Sequence, residues 1–138
     1  MDTLSLLKDL SQVRRYQLAQ IDGLSIERRT VIPQGFRNHL HWQLGHIVAE
    51  TDNFLFNLTG KQELPTIFRC YFANGTSPKE WAGDPPSWEE LTNLLLSQCH
   101  HVRHAFESGN CESTLPLAHH LYHEWCHAGI INAMTKLV

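Results

Sequence analysis

The sequence predicts an all-α protein, a four-helix bundle in which a long crossover joins the second and third helices. Four segments of the 138 residues place apolar side chains at three- and four-residue steps, the period of a helix with one buried face. No segment combines strict alternation with β-branched enrichment, as a strand would. One stretch rich in proline and aromatic residues, 60–87, separates the second segment from the third. We therefore expect residues 1–138 to form one domain with a long second connection.

The first two predicted helices both end at a glycine. The first covers residues 3–22 and is followed by Gly23, a natural helix stop. Charged residues lie between its apolar positions, as in an amphipathic helix: Lys8, Asp9, Arg14 and Arg15. The second covers residues 38–58 and is closed by Gly60.

The third predicted helix begins with a capping box and runs to about Ser108. Ser87 is the predicted N-cap, and Glu90 stands at the third helical position. Gly109-Asn110 ends this helix. The fourth, about 116–137, has a proline near its start, where the missing amide is tolerated, and is apolar on most sides. Such a helix is expected to lie centrally in the fold.

Composition argues against several function classes. A formal charge of -3 gives no electrostatic reason to expect nucleic acid or an anionic membrane as a partner. No run of 18 uncharged apolar residues is present, and the N-terminal residues lack the layout of a signal peptide, so a cytoplasmic protein is expected. The four cysteines form no C-x-x-C pair, which predicts free thiols rather than a zinc ribbon or a redox motif.

Histidine is abundant, with ten residues in 138, and three of them have the placement of metal ligands. His123 and His127 stand four apart in a predicted helix, so their imidazoles stack on one face and can converge on one divalent cation. His46 lies in a second apolar helical run, where an unpaired imidazole would need a partner. Three histidines leave open positions on a metal, as expected of a catalytic site. Imidazole suits Zn, Ni, Co, Cu and Fe alike, so the metal itself is not specified.

The competing interpretation is that the histidines are structural and satisfied by hydrogen bonds. His119 and His120 precede His123 by about one turn; either could donate a hydrogen bond behind a metal ligand, but both are predicted to be partly solvated. His100 and His104 form another i, i+4 pair, but they point away from the apolar stripe of their helix, which indicates a solvated face.

Other residues near the three histidines also have two interpretations. Glu50, one turn beyond His46, could orient a ligand or act as a base near bound water, whereas Glu124 is expected to leave the ligand face because adjacent helical residues diverge. Cys126 is predicted to be a small buried core residue rather than a nucleophile. Trp42 and Trp125 are predicted to be core or pocket-wall residues. Gly45 and Gly129 are predicted to be points where helices approach closely.

Two segments resemble a known family, the DinB-like (YfiT-like) metal-dependent superfamily. They are Trp42-Gln43-Leu44-Gly45-His46-Ile47 and His123-Glu124-Trp125-Cys126-His127-Ala128-Gly129. The resemblance extends over most of the chain in helix order and in the long second connection. It implies an up-down-down-up four-helix bundle, often a homodimer, in which His46, His123 and His127 bind nickel or zinc. Family sequences often carry Gln after the last glycine, where this chain has Ile130.

Three hypotheses about function follow, of which the first rests on the resemblance. The first is a metal-dependent thiol S-transferase or hydrolase that acts on a small molecule with a low-molecular-weight thiol such as bacillithiol, mycothiol or glutathione. The aromatic residues of the crossover are then expected to help form the substrate pocket: Phe68, Tyr71, Phe72 and Trp81. The alternative is a non-catalytic metal- or small-molecule-binding bundle, for instance a stress-response protein. The third is a bundle with structural histidines that serves only to dimerise. No residue is assigned to catalysis.

Overall fold

A computed structural model describes residues 2–109 and 113–138, and all secondary structure within them is helical. The predicted all-α class is therefore confirmed. The α-helices are α1 (Thr3–Ile21), α2 (Ile26–Arg29), α3 (Leu40–Thr59), α4 (Ile67–Phe72), α5 (Trp88–Glu107) and α6 (Leu115–Thr135), and a 3₁₀ turn covers Pro78–Glu80. The four predicted helices correspond to α1, α3, α5 and α6. Among the described helices, none has a stretch long and apolar enough to cross a lipid bilayer.

The four long helices bury two apolar clusters between them. Helix α1 packs against α5 and α6, while α3 packs against α4, α5 and α6. One cluster includes Leu44 of α3, Phe72 of α4 and Ile131 of α6. The other joins α1, α5 and α6 through residues such as Leu10 and Val102. Because α3 packs directly on α6, the helix that carries His46 is a neighbour of the helix that carries His123 and His127.

The helix boundaries follow from local capping. Ser87 Oγ accepts a hydrogen bond from the Glu90 amide at 3.1 Å, which confirms the predicted N-cap of α5. Helix α3 begins two residues later than predicted because His39 is its N-cap, with Nδ1 accepting from the Trp42 amide at 3.1 Å. Gly60 takes a φ of +73°, the left-handed conformation that suits glycine at a helix end, and confirms the predicted stop. Asn110, part of the predicted helix stop, and Cys111, one of the four cysteines, lie outside the described residues.

The first two connections between the long helices contain short helices that the apolar periodicity did not predict. Helix α2 lies in the first connection and α4 in the crossover. Helix α4 packs on α3 at Gly45, where an added Cβ would collide with the ring of Phe72. The predicted close approach at Gly45 is therefore confirmed, although the neighbour is α4. At Gly129 the prediction is wrong, because an added Cβ would meet no atom within 4 Å.

Helix α6 is exposed along one side, contrary to the prediction that it lies centrally. Tyr122 is 73% exposed and Trp125 43% exposed, and Trp125 contacts Tyr16 of α1 at this surface. Cys126 is exposed as well, so its prediction as a buried core residue is wrong. Cys70, Cys99 and Cys126 are free thiols, as predicted. The apolar side chains of α6 therefore lie partly on the outer surface of the protein and partly in its core.

Candidate metal centre

Helices α3 and α6 bring together the three histidines that the sequence singled out. One ligand nitrogen from each of His46, His123 and His127 lies within 4.8 Å of the other two. The ring centroids are 4.4 Å apart for the α6 pair, and His46 lies 4.7 Å from His127 and 5.4 Å from His123. His46 is buried and the α6 pair is half-buried. Such a cluster is compatible with a metal ion.

Hydrogen bonds fix the ring orientation of two of these histidines. His46 Nδ1–H donates to the backbone carbonyl of Phe72 at 2.9 Å. His127 Nδ1–H donates to Gln43 Oε1 at 2.7 Å. In both rings Nε2 is thereby left unprotonated, which is the form that ligates a metal. Such outer partners are typical of histidine metal sites, so the residues present fit a divalent transition ion.

The protein environment also keeps the imidazoles of His46 and His127 neutral. Burial lowers the pKa of His127 to about 3, and the neighbouring His46 and His123 lower it further. Burial likewise lowers the pKa of His46, although the Phe72 carbonyl and the charge of Glu50 act in the opposite direction. A neutral imidazole can bind metal without first losing a proton, so proton competition at neutral pH is weak.

The three histidines open onto a polar cavity of about 540 Å³. Its other lining residues are Asn38, Trp42, Gln43, Glu50 and Asn74. Trp42 stacks on His46 with ring centroids 4.7 Å apart, which confirms its prediction as pocket wall, whereas the exposed Trp125 contradicts the same prediction. Glu50 provides the carboxylate of this cavity. A ligand here would meet amide groups and one negative charge.

The aromatic residues of the crossover do not line this cavity, contrary to the prediction. Phe68 and Phe72 are buried in the apolar core, and Tyr71 and Trp81 pack against it. The crossover contributes to the site through the Phe72 carbonyl and through Asn74. Neither contribution could be predicted from side-chain type, because one is a backbone group and the other a loop residue.

The remaining histidines are divided between solvent and core. His100 and His104 are exposed, as predicted, and so is His119. His120 is buried, so its predicted partial solvation is wrong. Its ring stacks on Phe54 with centroids 4.5 Å apart, and burial lowers its pKa to about 4 despite the nearby charge of Glu124.

A buried ion pair lies beside the candidate site. Glu124, next to His123, leaves the ligand face as predicted. It lies in the core, which was not predicted, and binds Arg14, a charged residue of the amphipathic helix α1. The Nε–H of Arg14 donates to Glu124 Oε1 at 2.5 Å, and its NH2 group donates to Glu124 Oε2 and to Thr51 Oγ1. Its NH1 group donates to Gln98 Oε1 and to the carbonyl of Leu95. All five guanidinium donors therefore have acceptors.

The fold and the site together define an all-helical protein with a three-histidine cluster that could hold a metal ion. The family model described as the DinB superfamily matches residues 9–131. The chain belongs to the DinB superfamily, and the family resemblance of its two histidine segments is confirmed. The comparison with curated proteins gives no match.

Proposed function

We propose that the chain is a metal-dependent enzyme in which His46, His123 and His127 hold one divalent transition metal, nickel or zinc. The observation that carries this proposal is that the three imidazole rings bring one nitrogen each to a common point at the wall of a polar cavity. In two of the rings, Nδ1 is already hydrogen-bonded to the protein. Three neutral ligands leave the ion its full charge and open positions. A metal in such a site lowers the pKa of a bound thiol or water and polarises a substrate oxygen.

The other cavity residues would supply binding and proton transfer. Glu50 lines the cavity and would accept the proton that a thiol or water gives up as it becomes a nucleophile. Asn38 and Asn74 present amide groups that can hydrogen-bond a polar substrate. Trp42 holds the ring of His46 from one side. We infer a reaction of the S-transferase or hydrolase type on a small molecule, with a low-molecular-weight thiol as co-substrate.

We propose a cytoplasmic homodimer of up-down-down-up four-helix bundles, each formed by one domain spanning residues 1–138. The mutual packing of the four long helices supports the bundle. The exposed aromatic side chains of the α1 and α6 surface, among them Tyr16 and Tyr122, support association through that surface. Sedimentation velocity of the parent and a Tyr122→Glu variant tests this, since a stable dimer should dissociate in the variant.

The first experiment is metal content by plasma mass spectrometry on untagged protein purified without a metal column. The test variant is His123→Ala/His127→Ala. The matched control is His100→Ala/His104→Ala, which removes another i, i+4 pair from an exposed helix face. We expect about one equivalent of transition metal in the parent and in the control, and little in the test variant. Equal metal in all three proteins, or none after nickel and zinc are added back, would refute the metal site.

Activity is tested separately on the metal-loaded protein with thiol and acceptor pairs and with hydrolysable esters. Turnover that is lost in a Glu50→Gln variant, with metal content unchanged, would support the enzymatic role of that carboxylate. Full metal loading without turnover on any pair would favour the alternative function, a non-catalytic metal- or small-molecule-binding bundle.

A further inference from the structure

A second cavity lies between α1 and α5 and shares no lining residue with the metal-centre cavity. Its volume is about 490 Å³. Helix α1 lines it with residues 8, 11, 12, 14 and 15, and α5 lines it with residues 96, 99, 100 and 103. Apart from residue 14, each set follows the i, i+3, i+4, i+7 spacing of one helix face, so one face of each helix forms a wall. We name this cavity the α1–α5 groove.

The α1–α5 groove is basic, although the chain as a whole is acidic. Lys8, Arg15 and Arg103 line its walls, Arg14 lies at its base, and no carboxylate is among its lining residues. The formal charge of the whole chain is -3. Four of its eleven lysine and arginine residues therefore surround one cavity of an otherwise acidic protein.

Only part of this positive charge is neutralised within the described residues. Arg14 is paired with the buried Glu124, and Arg103 lies 3.5 Å from Glu107 on the same helix, where both side chains are exposed. An exposed pair of that kind is worth little and is readily exchanged for another partner. Lys8 and Arg15 have no carboxylate within 4 Å in the part of the chain that the structure describes.

The remaining groove residues suit a small polar ligand. Ser11 and Gln12 offer hydrogen-bonding side chains, and Leu96 adds an apolar surface. Cys99 is held with its thiol toward the Leu95 carbonyl at 3.8 Å, and burial raises its pKa. Since the thiolate is the nucleophilic form, this cysteine acts as a neutral wall residue. His100 of α5 also lines the groove. The groove therefore offers basic, hydrogen-bonding and apolar side chains, and its thiol is not a nucleophile.

We propose that the α1–α5 groove binds a small organic anion that carries two or more negative charges on phosphate or carboxylate groups. Its volume is within the range of roughly 300–1,000 Å³ typical of small-molecule sites. Arginine presents a planar fork of donors that matches oxyanions, and lysine adds a point charge. Lys8 and Arg15, seven residues apart on one face of α1, can contact two separate anionic groups of one ligand.

The test uses pyrophosphate and citrate as probes, with titration calorimetry and two-dimensional amide NMR on the full chain. The test variant is Lys8→Gln/Arg15→Gln, and the matched control is Lys79→Gln/Lys136→Gln, which removes two exposed charges elsewhere. We expect at least tenfold weaker binding in the test variant and less than twofold change in the control. Amide shifts should concentrate at Ser11 and Cys99.

The two probes distinguish the anionic group, since tighter pyrophosphate binding indicates a phosphate ligand and tighter citrate binding a carboxylate ligand. Equal weakening in both variants would show general charge attraction and overturn the proposal. Shifts centred on the metal-site histidines, or no binding of either probe at millimolar concentration, would overturn it as well. Circular dichroism of both variants should match the parent, because all four side chains are exposed.

Discussion

Removing either partner of the Arg14–Glu124 pair should destabilise the protein far more than removing both. The side chains are 1% and 0% exposed, so a single substitution leaves the other charge buried without its counter-ion. In Glu124→Leu, the guanidinium loses two of its five acceptors, whereas in Arg14→Met the carboxylate loses its ion pair and Thr51 and Gln98 lose a donor. Breaking a buried pair in this way costs about 3–5 kcal/mol.

The double variant Arg14→Met/Glu124→Leu removes both charges and fills the space with apolar atoms. Replacing a buried pair by apolar residues of similar volume is often neutral or stabilising. We therefore expect the double variant to be more stable than either single variant, with a coupling energy of at least ~3 kcal/mol. Since whole domains are stable by only about 5–15 kcal/mol, either single variant should lose a large part of its stability.

Urea unfolding followed by circular dichroism at 222 nm measures these free energies. The control is Arg15→Met, which removes an exposed arginine from the next position of α1 and should change the free energy of unfolding by less than about 0.5 kcal/mol. If a single variant does not fold while the double variant does, the coupling is established directly. Single-variant losses below about 1 kcal/mol, or a double variant that loses the sum of both, would refute the buried-charge argument.

Three further predictions concern pH, helix packing and the ligand support. Burial lowers the pKa of His39 to about 4, against about 6.5 in the unfolded chain, so the unfolded state binds more protons between these values. The free energy of unfolding should therefore fall as the pH drops from 6.5 toward 4, by up to ~1.4 kcal/mol per pH unit for this group. The fall should be less steep in His39→Asn, a variant that keeps an N-cap oxygen. Equal slopes of the two proteins in urea titrations at several pH values would contradict this. Gly45→Ala should destabilise the protein and weaken metal binding because its Cβ collides with α4. Gly129→Ala should raise the melting temperature, since alanine has the better helix propensity and no atom lies close to the added Cβ. A change of melting temperature of the same sign in both variants would contradict this. Gln43→Leu removes the hydrogen bond to His127 and should lower metal affinity about 10–100-fold in a competition titration. The thermal stability of the metal-free protein should not change. An unaltered metal affinity would show that this hydrogen bond does not support the ligand.

The long helices and their ends could be predicted because they are encoded locally. The apolar period and the stop at Gly60 act within a few residues, and the structure places each boundary close to its prediction. Helices α2 and α4 could not be predicted in this way, since four and six residues are too few to show a period. Helix α4 depends on packing against α3, as the contact of Phe72 with Gly45 shows, whereas α2 buries no residue and is capped locally by Ser25.

The three histidines could be singled out from spacing and from the family resemblance, but their supporting groups could not. The carbonyl of Phe72 carries no sequence signal, and Gln43 is recognisable only once α3 and α6 are docked. The burial of Arg14 has no sequence signal, because a charge within an amphipathic pattern usually lies in solvent and its partner is 110 residues away along the chain. An all-round apolar helix is usually buried, which explains why the exposed side of α6 was missed.

The candidate ligands lie far apart in the order of synthesis. His46 is made early, whereas His123 and His127 follow only after a further 77 and 81 residues, an interval of roughly 4–16 s at typical translation rates of ~5–20 residues per second. During that time a nascent chain offers only one of the three candidate ligands, and a single imidazole cannot compete with cellular chelators for an ion. Metal insertion is therefore expected after α6 has left the ribosome and docked on α3, so the ion acquired reflects the metals accessible to the folded chain.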